Sequence, residues 1–133
     1  MILLDTHAAI WILRNDPALG KKARDLALAA LADARLTISA ASFWEIALLI
    51  AKGRLRLLDD PTETRRLILQ AGVRELPLTG NIAIIAVRLD VPHADPADRL
   101  IAASAVAHEA ALMTADDRLL AWRSKIRRIN AGR

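Results

Sequence analysis

Four acids stand in stretches that give them little charged company. Between Met1 and Leu13 the only formally charged residue is Asp5, directly behind the apolar run MILL. From Leu36 to Ala51 the only one is Glu45, inside SAASFWEIALLIA. Asp98 closes DVPHADPAD, and Asp116 follows ALMTA. Glu45 is the most demanding. A helix apolar on nearly every side is normally buried, and a carboxylate buried alone costs several kcal/mol. Such a group pairs with a cation (Arg99 is the candidate), is kept neutral, or binds a metal. The others have local explanations as well. Asp5 and Asp116 suit helix caps, Asp95 before Pro96 is an N-cap and N1 pair, and Asp98 then falls in the first turn, where the helix dipole favours an acid.

Together the four point to chemistry. Clustered carboxylates raise each other's pKa unless a cation neutralises them. The chain has no cysteine and no histidine pair at ligand spacing. Hard oxygen donors of this kind suit Mg²⁺ or Mn²⁺, ions that activate water and stabilise in-line phosphoryl displacement. The net charge is +4, from 19 Lys and Arg against 15 Asp and Glu. Much of the excess lies in Arg118, Arg123, Lys125, Arg127, Arg128 and Arg133, a stretch without acids, and a smaller cluster spans Lys52 to Arg56. A basic surface makes nucleic acid the natural phosphodiester, although such a run also reads as a solvated face.

The elements must bring these acids together. MILLD, LTIS (Leu36 to Ser39), VRELPL and ALMT (Ala111 to Thr114) read as short apolar strands, with KIRRI as a fifth at an edge. Between them lie helices: THAAIWILRND, Ala18 to Arg35 with Leu26, Ala30 and Leu31 facing inward, the Glu45 helix to Lys52 with Gly53 as its stop, DDPTETRRLILQAG, NIAIIAVRL, Ala97 to Ala110, and Asp116 to Trp122. Alternating strands and helices predict one α/β domain over residues 1–133, a three-layer α/β/α sandwich around a central, mostly parallel sheet. Ligands of such sheets bind beyond the carboxyl ends of the strands, and all four acids arrive at that edge. With no basic leader and no apolar run of about 18 residues, a cytoplasmic protein without membrane association is expected.

The segments LLDTHAAIWIL, SAASFWEIA, HADPADRLIAASA and LMTADDRLL, in this order, resemble the PIN-domain ribonucleases, and among them the VapC-type toxins of bacterial toxin–antitoxin pairs. The resemblance spans Ile2 to about Ile129. It implies a Mg²⁺- or Mn²⁺-dependent endoribonuclease with Asp5, Glu45, Asp98 and Asp116 as its acid quartet. Asp5, Asp98 and Asp116 would hold the metal, and Glu45 would bind metal or position water. Thr6 and Thr114 would orient the acids. The resemblance further implies an RNA substrate, a homodimer and an antitoxin partner, for which the helices near Trp11, Trp44 and Leu48 offer a groove unless they pack in the core. This chain departs from the usual pattern at Leu49, Ala97 and Ser104, where relatives commonly carry lysine, a large apolar residue and glutamine. Asp117 competes with Asp116 for the fourth place and Asp95 is the leading outsider, whereas His7 and His93 read as loop or capping residues.

Other readings carry less. A dehalogenase-type phosphatase needs a second Asp where His7 stands, and no phosphate-binding glycine loop occurs. The remaining alternatives are a non-catalytic PIN-like module that binds RNA or protein, and a DNA-directed or flap nuclease.

Overall fold

The computed structural model describes residues 1–56 and 60–133. Its strands are β1 (Ile2–Leu4), β2 (Leu36–Ser39), β3 (Arg74–Leu76), β4 (Ala111–Thr114) and β5 (Arg128–Asn130). The helices are α1 (Thr6–Arg14), α2 (Lys21–Ala32), α3 (Ala40–Ala51), α4 (Pro61–Gln70), α5 (Gly80–Arg88), α6 (Pro96–His108) and α7 (Asp117–Ala121). Asp59, at the head of the fourth segment expected to be helical, lies outside the described residues.

All four strand pairings are parallel, in the order β3-β2-β1-β4-β5. Successive side chains of a strand point to opposite faces, and the core divides accordingly. Leu4, Ile38 and Met113 pack with Ala8, Ala23, Ala27 and Ile68 of α1, α2 and α4. Leu3 and Leu112 pack with Ala41, Ile101, Ala102 and Leu119 of α3, α6 and α7. Helix α5 lies outside α6, through Ile82, Ala86 and Ala103. Three layers result, as the alternating pattern predicts. Small alanines on the buried stripes let the helices approach the sheet closely.

Several element boundaries differ from the sequence reading. Helix α2 is shorter at both ends. Asp16 Oδ1 accepts the Ala18 amide at 2.9 Å, which makes a turn of the first residues, and Ala34 takes φ 55 beyond the end. Its buried stripe is Ala23 and Ala27, with Leu26, Ala30 and Leu31 only partly buried. Strand β5 starts three residues late, because Arg128 folds the preceding segment into a turn by donating to Ser124 O at 3.2 Å and Ile126 O at 2.8 Å. Helix α6 ends at His108, as Glu109 turns left-handed at φ 52.

Glycine is required at position 20. The N-terminus of α2 is closed by the last residues of the chain, with Gly20 N donating to Ala131 O and Lys22 N to Arg133 O, each at 2.9 Å. A Cβ on Gly20 would strike the Arg133 backbone. Gly53, at φ 67, stops α3 as its sequence suggests.

Candidate active site

The strand order reverses between β1 and β4, the switch point at which open parallel sheets bind ligands. Asp5 leaves the end of β1 and Asp116 comes shortly after the end of β4. Glu45 arrives on the second turn of α3 and Asp98 on the first turn of α6. All four line one pocket of about 210 Å³, together with His7, Trp11 and Ala115. Asp117 is exposed in the first turn of α7 and does not line it.

The capping roles and the pocket roles coexist. Asp5 Oδ1 accepts the Ala8 amide at 2.8 Å. Asp116 Oδ1 accepts the Arg118 and Leu119 amides at 2.8 and 3.1 Å, while its Oδ2 faces inward. Asp95 Oδ1 caps α6 through Ala97 N at 2.9 Å. A cap fixes the rotamer of its acid, so each helix start presents a carboxylate that is already oriented. Glu45 is held differently. Its Oε1 is buried without a hydrogen-bond partner, and Arg99 does not reach it. That guanidinium is spent on the carbonyls of Ala86, Val87, Leu89, Val91 and His93, at 2.7 to 3.4 Å.

His93 lies in the loop where the sequence places it, but it also reaches two of the acids. Its Nε2 lies 3.1 Å from Asp98 Oδ2 and 3.0 Å from Asp116 Oδ2, with the side chain only 8% exposed. Its Nδ1 accepts the Asp95 amide at 3.2 Å, which places the ring hydrogen on Nε2, toward the two acids. His93, Asp98 and Asp116 therefore form one group of potential ligand atoms within 4.8 Å of one another; Glu45, Asp95 and Asp98 form a second. Spacing alone does not reveal this, since the loop from Val91 to Asp95 is bent back by Arg99. Of the two threonines, Thr6 donates to Ser42 at 3.1 Å and ties α1 to α3 rather than orienting an acid. Thr114 accepts the Asp116 amide at 3.0 Å.

Burial pushes the Asp5 carboxyl up, and the charge of Glu45 adds to this, against the Thr114 hydroxyl and Ala8 amide. Asp98 is pushed up to about 7, first by burial and then by Glu45, Asp95 and Asp5, with His93 opposing. Asp116 is also partly desolvated, yet hydrogen bonds from His93 and from the Leu119 and Arg118 amides hold it below the usual range. The cluster is therefore short of positive charge. Its oxygen donors and the unpartnered Glu45 oxygen fit a divalent cation, the hard-ligand case.

Residues 2–123 match the PIN domain model. The chain belongs to the PIN-domain family. This PIN domain is 35% identical over 124 residues to Ribonuclease VapC22 of Mycobacterium tuberculosis, covering 92% of each protein. It is similar to a chain in the solved structure of FitAB bound to a DNA fragment, at TM-score 0.68 and 26% identity, over 100% of this chain and 96% of the other. The fold also matches a chain of DNA-bound VapBC from Salmonella typhimurium, at TM-score 0.69 and 19% identity, over 96% of each.

None of the six basic residues after Asp117 lines the acid pocket of this PIN domain. Arg128 among them lies over the Trp122 ring at 6.0 Å and supports the fold. The smaller basic cluster is the nearer one: Lys52 and Arg54 line a hollow that shares Glu45 with the pocket. Trp44 is 54% exposed and so is not a core residue. Among the described residues no helix is long and apolar enough to cross a membrane.

Proposed function

We propose that this PIN domain is a metal-dependent endoribonuclease and the toxin of a toxin–antitoxin pair. The observation that carries the reading is the convergence of four carboxylates from four separate elements on one pocket at the switch point of the sheet. Ribonuclease VapC22, the FitAB complex and the VapBC complex support the nuclease and its protein partner.

Asp5, Asp98 and Asp116 are the residues to hold Mg²⁺ or Mn²⁺. When bound, such an ion lowers the charge of the cluster and stabilises the oxygens that gain charge during phosphoryl displacement. The Glu45 Oε1 accepts a hydrogen from water and orients that water toward the phosphorus. A new P–O bond then forms from the water oxygen as the ester P–O bond opposite breaks, the water proton passes to Glu45, and the departing ester oxygen takes a proton from solvent. His93 holds Asp98 and Asp116 in place through its Nε2–H, and Thr114 fixes the backbone at Asp116. Apolar Ile84 and Val87, 54% and 81% exposed on α5, support a protein interface of the kind a homodimer needs.

The experiment is cleavage of labelled single-stranded RNA in Mg²⁺, Mn²⁺ and EDTA, with Asp5→Asn in parallel to exclude contaminating ribonuclease. Metal-dependent cutting that disappears in the variant is expected. Cutting of single-stranded or flap DNA in preference to RNA would replace the ribonuclease with a DNA-directed enzyme. Absence of cutting on any substrate would make the domain a binding module.

A further inference from the structure

Beside the acid pocket lies a second hollow, of about 280 Å³, and Glu45 belongs to both. Its wall is one face of α3: Trp44, Leu48 one turn later, and Lys52 at the helix end, with Arg54 just beyond. Pro96 at the start of α6 closes the opposite side. Trp44 is 54% exposed, in contrast to Trp122, which is 5% exposed in the core. An indole more than half exposed on the rim of a site has a large flat face to offer. Neither Lys52 nor Arg54 takes part in an ion pair among the described residues. Lys52 stands about 12 Å along the helix from Trp44, at 1.5 Å per residue.

A flat aromatic face followed by two cations is the recognition pattern of a single nucleic-acid strand. Every base has a π-face to stack, and the cations take the backbone. The continuity with the acid pocket favours a strand over a protein helix. A chain running through both hollows places one phosphate among the acids while the neighbouring base meets Trp44. A helical partner would instead need an apolar floor along its whole length, and here the apolar part ends at two cations on one side and Glu45 and Asp95 on the other.

We propose that this hollow is a base-stacking subsite: Trp44 takes the base flanking the scissile phosphate of single-stranded RNA, and Lys52 with Arg54 hold the phosphates beyond it. The inference rests on the ribonuclease reading and names where that substrate lies. Apart from hydrogen bonds to any one base, stacking tolerates all four, so the subsite contributes affinity more than sequence choice.

The test is binding of a short fluorescein-labelled single-stranded RNA of mixed sequence in Mg²⁺, with Asp5→Asn as the non-cleaving parent. Adding Trp44→Ala should weaken binding roughly 5- to 150-fold, and Trp44→Phe should restore most of it. Lys52→Ala with Arg54→Ala should reduce the slope of log affinity against log salt by about 1.4, at about 0.7 per lost phosphate contact. Thermal unfolding of each variant controls for folding, to which an exposed indole contributes little. Affinity unchanged in Trp44→Ala, while the wild-type chain still cuts RNA and Asp5→Asn does not, overturns the subsite and leaves the nuclease standing. Loss of affinity for a protein partner alone, with RNA binding intact, assigns the face to that partner and likewise overturns it. Failure of the parent to bind RNA, together with no cutting by the wild type, overturns both readings.

Discussion

Arg99 Nη1 donates to the carbonyl oxygen of His93 at 2.9 Å. The same guanidinium binds four other carbonyls between Ala86 and Val91, so a single side chain folds the connection from α5 to α6. Its reach sets where the imidazole stands, and through it the two acids that His93 touches. Charge-assisted hydrogen bonds contribute about 1.5–3 kcal/mol each. Arg99→Met is therefore expected to cost about 3 kcal/mol or more in urea unfolding and to weaken Mn²⁺ binding although every acid is intact. Arg99→Lys should recover little, because an ammonium lacks the planar fork. Equal stability of wild type and Arg99→Met would show that the loop is held by something else.

Asp98→Asn removes a carboxyl that burial and three acids already push up to about 7. Metal-free protein carrying this change should melt at a higher temperature than wild type, and its RNA cleavage should fall by more than the roughly 10- to 100-fold typical of losing an outer-shell partner. Calorimetry in EDTA and a cleavage assay read the two effects separately. Wild-type cleavage by Asp98→Asn would remove Asp98 from the chemistry.

The pH dependence of the metal-free protein follows from the same groups. Asp98 is raised in the folded chain to about 7 from the ordinary 3.8 of an aspartate, and Asp5 is raised as well, by burial above all. Through this interval the folded chain binds more protons than the unfolded one, so these two groups favour folding most below about pH 4, and that contribution is lost as the pH climbs toward about 7. Asp116 is lowered and acts the other way, with its contribution lost only as the pH falls below the ordinary carboxylate range. Melting temperature in EDTA should decline between about pH 4 and 7, and saturating Mn²⁺ should flatten the decline. A melting temperature that climbs across this window would contradict the crowding of charge described for the pocket.

His93→Ala should weaken Mn²⁺ binding by about 10- to 100-fold, the usual consequence of freeing a carboxylate from its outer hydrogen bond. Isothermal titration measures it directly. Unchanged or tighter binding would mean that the imidazole competes with the cation for Asp98 and Asp116 and does not orient them.

Much of this site can be read from the sequence, for a physical reason. Asp5 and Asp116 follow apolar strands closely, and a strand of three or four residues leaves little freedom in where the next side chain goes. Glu45 is conspicuous because its surroundings are apolar. The capping alternatives for Asp5 and Asp116 turn out to be compatible with the pocket, since a carboxylate has two oxygens. His93 was not legible in the same way. It lies five residues before Asp98 in a loop without periodicity, and its position depends on Arg99, whose five acceptors are backbone atoms with no sequence signature. The exposure of Trp44 was equally hidden, because an amphipathic pattern does not show on a helix that is apolar all round.

Strand β1 is the first segment of the chain and also the middle of the sheet, and β4, which completes the pocket beside it, comes more than a hundred residues later. During synthesis Asp5 is made before Glu45, Asp98 and Asp116 and waits for them. Contacts so distant in sequence close late and slowly. No fragment ending before Asp116 contains the whole quartet, so a chain that stops short of that residue cannot assemble the acid pocket.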